Sequence, residues 1–258
     1  MAKLPSIFIG HGNPMNALSD NGYTEAWKRL GQAIARPKAI LSISAHWYVP
    51  QTGVTINAAP RTIHDFGGFP PALYQVRYPA PGDAALARRV QELLSPLGVT
   101  LDDTWGLDHG TWSVLCRVYP DADIPVVQLS IDETKPASVH FEIGRRLAPL
   151  RDEGILILGS GNLVHNLHAY AWGRHVPQPF DWASRFEAAA RKLILAGDYR
   201  PLIDYESLGR DAALSVPTPE HYLPLLYVLG SGEKGETIRF PVEGVDGGSI
   251  SMLAVQIG

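Results

Sequence analysis

The chain has 258 residues, of which 45% are hydrophobic, and a formal net charge of -4. This length suits either one large domain or two, and the hydrophobic content allows a sizeable core. The slight negative charge offers no attraction to nucleic acid or to an anionic membrane. No apolar stretch approaches the roughly 20 residues that span a bilayer, and the first residues do not resemble a signal peptide. We therefore expect a cytoplasmic protein. No feature of the sequence indicates an obligate protein partner.

Apolar runs of strand length alternate with amphipathic helical patterns along the chain, which is typical of an α/β fold. The predicted strands lie at 6–9, 38–45, 53–56, 125–130, 155–158, 237–241 and 249–256. The predicted helices lie at 23–34, 83–95, 136–150, 181–196 and 219–229, and a further helix begins within 104–120. The last two strands alternate apolar and polar residues, so we expect an antiparallel pair at one edge. The prediction is a single catalytic domain, 1–258, with a central, mainly parallel, mixed sheet flanked by helices.

Three of the apolar runs lead into a histidine where the run breaks, namely His11, His46 and His165. Nearly continuous runs of Val, Ile and Leu are typical of parallel strands that are covered on both faces. In an open α/β sheet, ligands bind beyond the carboxyl ends of such strands. A single histidine in this position is more often structural than a ligand. The recurrence of the pattern, twice beside glycine-rich turns, nevertheless favours a metal site.

The segment 58–81 predicts a long loop rich in Pro, Gly and aromatic residues, and loops of this length are usually functional or disordered. Within it, Phe66 and Phe69 flank a Gly-Gly pair. They either form an apolar wall over a flat ligand or pack the loop rigidly against itself. His64 is another candidate ligand, although the neighbouring Asp65 favours a hydrogen-bonded pair between these two residues.

Two further histidines lie at predicted helix starts. Asp108 and His109 are chain neighbours, so they should serve different partners, and the helix dipole at this position favours the neutral form of His109. A neutral imidazole there can exchange hydrogen bonds with a substrate oxygen. Near position 219, Thr218 suits a helix N-cap and Glu220 can satisfy the helix end. His221 has no such structural role, which makes it a candidate ligand.

The available ligands limit the choice of metal. The chain has one cysteine, Cys116, so a thiolate cluster is excluded and a metal must be held by histidine and carboxylate. Neutral imidazoles suit Fe(II) or Zn(II), and less commonly Mn, Co or Ni. If His11, His46 and His221 bind on one face of an octahedron, three positions stay open. Non-haem iron oxygenases use such open positions to hold substrate and dioxygen.

Six strings of residues, in the same order along the chain, closely resemble the DODA-type branch of the class III extradiol ring-opening dioxygenases. They are Gly-His-Gly-Asn-Pro-Met-Asn (10–16), Ser-Ala-His-Trp (44–47), His-Asp-Phe-Gly-Gly-Phe-Pro (64–70), Asp-His-Gly-Thr-Trp (108–112), Ser-Gly-Asn-Leu-Val-His-Asn (160–166) and Pro-Thr-Pro-Glu-His-Tyr-Leu-Pro-Leu (217–225). The resemblance implies that dioxygen opens the ring of catechols such as L-DOPA by 4,5-cleavage to a muconate semialdehyde.

The resemblance also implies a role for each histidine. His11, His46 and His221 are similar to the metal ligands of this branch, and His109 to a histidine that contacts substrate. His165 is similar to the catalytic acid and base, and it either stays unligated or completes the metal's coordination. Better-studied relatives use two histidines and a carboxylate. A neutral ligand set holds Fe(II) less tightly, so we expect Fe(II) for activity and Zn(II) in the same site.

The remaining expectations concern the ring pocket and the alternatives. Phe66, Phe69, Trp47 and Tyr222 are the candidates for contacts with the aromatic ring, and no residue is assigned to a substrate carboxylate. If all four of His11, His46, His165 and His221 bind the metal, a zinc hydrolase becomes an alternative. Its general base would be Asp65, Asp108 or Glu220. A metal-binding relative without enzymatic activity is the other alternative, because one fold can host unrelated functions.

Overall fold

The computed structural model describes residues 3–173 and 178–258, which contain ten strands and ten α-helices. The strands are β1 (Ser6–Gly10), β2 (Ala39–Val49), β3 (Gly53–Thr55), β4 (Thr100–Asp102), β5 (Val126–Asp132), β6 (Ile155–Gly161), β7 (Ile238–Val242), β8 (Val245–Asp246), β9 (Ile250–Ser251) and β10 (Ala254–Ile257). The helices are α1 (Gly22–Ala33), α2 (Pro71–Tyr74), α3 (Ala84–Leu93), α4 (His109–Val118), α5 (Ala137–Leu147), α6 (Pro149–Asp152), α7 (Asp181–Ala196), α8 (Arg200–Ile203), α9 (Arg210–Ser215) and α10 (Leu223–Ser231).

Eight of the strands form one mixed sheet, in the order β4-β3-β5-β2-β6-β1-β10-β7. Its centre, β5-β2-β6-β1, is entirely parallel. Antiparallel strands complete one side, where β10 pairs with β1 and β7 forms the edge. The predicted α/β class with a mainly parallel, mixed sheet is therefore confirmed, and so is the antiparallel pair at one edge.

Both faces of the central sheet are covered, which explains the continuous apolar runs of the sequence. Successive residues of a strand face opposite sides. In β2, Leu41 and Ile43 contribute to the core below helices α3, α5 and α10, whereas Ile40 contributes to the core below α1 and α4. All nine residues of α10 are buried, because this helix packs against both α5 and β6. None of the helices in the described part of the chain is long and apolar enough to cross a bilayer.

Three of the predicted elements differ from the structure. The helix predicted at 136–150 is divided into α5 and α6, because Pro149 begins a new helix. The last helix begins at Leu223 rather than at 219, because residues 219–222 form a turn in which the Leu223 amide donates to the Pro219 carbonyl. The hydroxyl of Thr218 donates to Glu220 instead of capping a helix. The predicted strand at 249–256 is broken, because β9 pairs with β8 in a separate hairpin and only β10 joins the sheet.

Candidate active site

Five histidines meet at the edge formed by the carboxyl ends of the central parallel strands. His11 follows β1, and His46 lies in β2 where its pairing with β5 is interrupted between Ile43 and Tyr48. His165 follows β6, His109 begins α4, and His221 lies in the turn before α10. All five line one cavity of about 260 Å³. The sequence-predicted histidines are thus brought together, apart from His64, whose Nε2 donates to the Val76 carbonyl at 3.1 Å.

The rings of His11, His46 and His221 form a nearly equilateral triangle. Their centroids are 5.0 Å apart for His11 and His46, 5.3 Å for His11 and His221, and 5.1 Å for His46 and His221. The Nε2 atoms of His11 and His46 are 3.2 Å apart. Two neighbouring nitrogens on one divalent metal, each about 2.1 Å from it, would be about 3.0 Å apart in an octahedron and about 3.4 Å in a tetrahedron. The spacing therefore fits a shared metal ion.

The donor atoms divide into two close groups. Those of His11, His46 and His109 lie within 4.8 Å of one another, and so do those of His165, Glu220 and His221. Of the three ligands implied by the family resemblance, His11 and His46 belong to the first group and His221 to the second. Glu220 does not line the cavity, because its carboxylate lies on the far side of the His221 ring.

A serine orients His11. The Ser160 hydroxyl donates its proton to the Gly110 carbonyl at 2.5 Å, so its oxygen must accept from His11 Nδ1 at 3.0 Å. Nδ1 of His11 therefore carries the proton, and the lone pair of Nε2 is directed toward His46. Hydrogen bonds of this kind, which fix the ring and its tautomer, are typical of histidines that bind metal.

Asp65 orients two histidines of the first group. Its Oδ1 accepts from the backbone amide of His109 and its Oδ2 from His109 Nδ1, both at 2.9 Å, and Oδ2 lies 3.4 Å from His46 Nδ1. Burial alone would raise the pKa of Asp65, but the bonds from His109 outweigh it and lower the pKa. The expected pair with His64 is wrong, because chain neighbours in an extended loop point away from each other. Asp65 is hydrogen-bonded instead to His109, which lies 44 residues further along the chain.

Glu220 orients His221. Its Oε1 accepts from His221 Nδ1 at 3.1 Å and from the Thr218 hydroxyl at 2.8 Å. Burial opposes ionisation of Glu220, yet these bonds lower its pKa to about 2, so the side chain is a carboxylate. The turn itself is held against β6, because the Asn162 amide donates to the His221 carbonyl at 2.8 Å. A Cβ atom on Gly161 would lie only 2.1 Å from that carbonyl oxygen.

Four of the cavity histidines, His11, His46, His165 and His221, are electrically neutral at physiological pH. Burial is the main cause that holds the pKa of His11 and of His46 well below the ordinary value, and repulsion between neighbouring imidazoles lowers both pKa values further. Burial also lowers the pKa of His221, and it lowers that of His165 to about 3. The cluster therefore offers lone pairs without first losing protons, which is the condition for binding a divalent cation.

The cavity wall contains two of the four predicted aromatic residues. Phe66 and Phe69 line it, with ring centroids 5.1 Å apart. Trp47 and Tyr222 do not, which corrects the prediction. Trp47 stacks on Trp105 at 5.4 Å, and the Tyr222 hydroxyl donates to the Leu202 carbonyl inside the core. Each follows a cavity histidine directly, and neighbouring side chains point in different directions.

Several cavity residues were missed by sequence reasoning. They are Leu167, Tyr170, Trp172, Asp246 and Ile250. The first three follow the string at 160–166, so its extension by a few residues would have included them. The hairpin of β8 and β9 carries the other two, and nothing in its short, glycine-rich sequence indicates that it folds over the cavity.

Asp108 is buried behind the site rather than inside the cavity. Its carboxylate accepts from the Ser44 hydroxyl at 2.6 Å, from Gln128 and from the Thr111 amide. Burial raises its pKa to about 6. The expectation that Asp108 and His109 have different partners is confirmed, because Asp108 caps α4 while His109 bonds to Asp65.

Comparisons with known proteins agree along the whole chain. A family described as the catalytic LigB subunit of aromatic ring-opening dioxygenase matches residues 5–243. A protein of Escherichia coli K12 named 4,5-DOPA dioxygenase extradiol is 55% identical, over 99% of this chain and 95% of its own length. One of Beta vulgaris with the same name is 38% identical, over 95% and 93%. The crystal structure of an uncharacterized E. coli K12 protein is 50% identical with a TM-score of 0.88, over 99% of this chain and all of that one.

Proposed function

The chain belongs to the LigB family of aromatic ring-opening dioxygenases, and from that premise we propose that it opens catechols such as L-DOPA at a metal ion bound by His11, His46 and His221. The enzyme is an extradiol dioxygenase, an oxidoreductase that cleaves the ring bond beside the two hydroxyls. Relatives named for 4,5-DOPA support L-DOPA as substrate and a muconate semialdehyde as product. We propose that residues 1–258 form one catalytic domain. A cytoplasmic location stays a prediction, and so does the absence of nucleic-acid, membrane and obligate protein partners.

The observation that carries this proposal is the arrangement of the three imidazoles. Ser160 bonds to Nδ1 of His11 and Glu220 to Nδ1 of His221, while Asp65 lies beside Nδ1 of His46. Each of the three rings thus keeps Nε2 available to a common centre. We propose Fe(II) as the active metal, with Zn(II) able to occupy the same donors. When bound, Fe(II) supplies Lewis acidity and a redox couple that allow a catecholate to react with dioxygen.

We propose that His165 moves protons at the catechol oxygens. Its ring lies beside His221 at the cavity and is neutral, so an imidazole nitrogen can accept a proton from a hydroxyl of the bound catechol. The same nitrogen can return that proton to an oxygen when the ring opens.

We propose that His109 and the two phenylalanines position the substrate. Since Asp65 accepts from Nδ1 of His109, the Nε2 atom of His109 is left to accept a hydrogen bond from a hydroxyl group. Phe66 packs edge-on against His109, with ring centroids 5.4 Å apart, and Phe69 packs against Phe66. These apolar surfaces suit a flat aromatic ring and exclude water from the site where it would react.

The zinc-hydrolase alternative has less support, because its three candidate bases are already engaged. Asp65 accepts from His109, Glu220 accepts from His221, and Asp108 is buried behind the site. None of the three lines the cavity. A hydrolytic general base would have to reach a bound water there.

The proposed function is tested by reconstitution of the metal-free protein under anaerobic conditions with Fe(II), with Zn(II) in a parallel sample. After addition of L-DOPA and dioxygen, we expect dioxygen uptake and a yellow semialdehyde in the Fe(II) sample alone. Protein that demonstrably holds Fe(II) but consumes no dioxygen with any catechol would contradict the proposal. Activity of the Zn(II) sample without dioxygen would instead favour the hydrolase.

A further inference from the structure

The cavity carries a carboxylate beside two aromatic rings, apart from the histidines. Asp246, Tyr170 and Trp172 all line it. The Tyr170 hydroxyl donates to Asp246 Oδ2 at 2.9 Å, and the Tyr170 and Trp172 ring centroids are 4.6 Å apart. Trp172 is 63% exposed, so this group lies where the cavity opens to solvent.

The backbone fixes how far this carboxylate lies from His165. His165 forms an antiparallel bridge with Ile250, and Ile250 is the register partner of Asp246 in the hairpin of β8 and β9. Directly opposed residues project to the same face, and all three side chains do line the cavity. Two strand spacings separate the backbones of His165 and Asp246 by roughly 10 Å. That distance suits a group at the end of a short substituent on a ring held beside His165.

The charge of this wall favours a cation. Among the described residues that line the cavity, Asp246 is the one carboxylate, and none is Lys or Arg. Tyr170 occupies Oδ2 of Asp246, and a carboxylate has a second oxygen that can accept from an ammonium group. The faces of Tyr170 and Trp172 attract cations through their ring quadrupoles. A substituent that carries a negative charge and no amine would be repelled by Asp246.

We propose that Asp246, supported by Tyr170 and Trp172, binds the ammonium group of the substrate and thereby selects catechols that carry a cationic amine. This inference rests on the proposed function, because it assumes a catechol ring beside the histidines. Asp246 is then a specificity-determining residue, and its contribution is a charge-assisted hydrogen bond to a group remote from the reacting oxygens.

The test compares dopamine with 4-ethylcatechol, which has the same ring and two-carbon tail but no amine. With Fe(II)-loaded wild-type protein, we expect kcat/KM to favour dopamine by about tenfold or more, the scale of a hydrogen bond to a charged group. The Asp246→Asn variant should lose most of that ratio. The matched control is Asp123→Asn, which removes an exposed carboxylate paired with Arg36 near the amino ends of β5 and β2, away from the site, and should keep the wild-type ratio.

Anaerobic binding provides a second readout that does not depend on turnover. Quenching of tryptophan fluorescence in the metal-loaded protein should show tighter binding of dopamine than of 4-ethylcatechol, and Asp246→Asn should remove the difference. Equal preference for the two catechols in the wild type, or an unchanged ratio in Asp246→Asn, would overturn this inference alone. Failure of the iron-loaded enzyme to open dopamine, 4-ethylcatechol and L-DOPA alike would overturn the proposed function, while the binding titration would still decide whether Asp246 recognises the amine.

Discussion

The imidazole of His165 lies flat against that of His221, with ring centroids 3.5 Å apart and an angle of 6° between the planes. The His221 ring is held on its other edge by Glu220. His165 is thus packed against a proposed ligand without belonging to the triangle of His11, His46 and His221. We propose a proton-transfer role for His165 rather than a role as ligand, and the metal content of a His165 variant measures the difference.

We predict that His165→Ala binds Fe(II) with wild-type stoichiometry but loses about 10²- to 10⁴-fold in turnover, the usual contribution of a general acid-base residue. His11→Ala and His46→Ala should instead lose the metal. Metal content after anaerobic loading and the rate of dioxygen uptake measure the two effects. Loss of metal from His165→Ala would make it a ligand, and unchanged turnover would show that its proposed role is wrong.

A second prediction concerns Ser160. The Ser160→Ala variant leaves the Nδ1 proton of buried His11 without its acceptor, so the ring is no longer fixed. Metal affinity should fall by about 10- to 100-fold, as is usual when the partner of a metal-binding histidine is removed. Competition with a chelator measures the affinity. The matched control is Ser6→Ala, which removes another buried serine hydroxyl. Ser6 begins β1, whereas His11 follows the end of that strand, so this variant should bind metal like the wild type. Equal affinities for all three proteins would contradict the role of Ser160.

Gly161 is predicted to control the position of His221. An alanine Cβ there would meet the His221 carbonyl oxygen at 2.1 Å, and because that atom belongs to the backbone the turn must shift. We expect Gly161→Ala to lose metal affinity and about 1–3 kcal/mol of the free energy of unfolding, as in other overpacked sites. The control, Gly22→Ala at the start of α1, meets nothing within 4 Å. Wild-type metal binding by Gly161→Ala would refute the argument.

The buried His140 should make stability depend on pH. Its Nδ1 accepts from the Tyr227 hydroxyl at 2.8 Å and its Nε2 donates to the Lys135 carbonyl at 3.2 Å, while burial lowers its pKa to about 4. The unfolded chain takes up this proton near pH 6.5, so stability is fully present above that pH and falls as the pH drops toward 4. The loss amounts to about 3 kcal/mol.

Urea unfolding of the metal-free protein between pH 4 and pH 7.5 measures the His140 contribution as a difference between variants. His140→Gln cannot titrate, so its free energy of unfolding should change less with pH than that of the wild type. The other neutral histidines make the same contribution to the pH dependence of the free energy of unfolding in both proteins, so their contribution cancels in the comparison. Identical slopes would mean that His140 has an ordinary pKa in the folded state.

The edge of the sheet that carries the site could be predicted from the sequence. Parallel strands deliver their carboxyl ends to one edge, so apolar runs ending near His11, His46 and His165 had to bring these residues together. The signals for helix starts added His109 and His221 as candidates, and the resemblance to known strings gave each of them a role. What could not be predicted from either source is the set of partners across the fold, such as Ser160 beside His11, because these contacts depend on register between strands.

The errors have a similar origin. Asp65 was paired with its neighbour His64, yet its true partner is His109, which the fold of the loop brings near. Trp47 was expected in the ring pocket, but it follows His46 in the same strand, so strand alternation sends it to the other face. Asp246 lines the cavity but lies in a two-residue strand, which is too short to show an apolar pattern in the sequence. Local sequence indicates the elements, whereas the walls of the cavity depend on tertiary packing.

The most direct test of the account is the fate of dioxygen gas labelled with oxygen-18. The Fe(II)-loaded enzyme would be given L-DOPA under the labelled gas and quenched with borohydride, which prevents exchange of the aldehyde oxygen with water. We predict that the ring-opened product contains two labelled oxygen atoms from one dioxygen molecule. A product without label, whether a quinone formed by simple oxidation or a product of hydrolysis, would contradict ring opening by a dioxygenase at the histidine site.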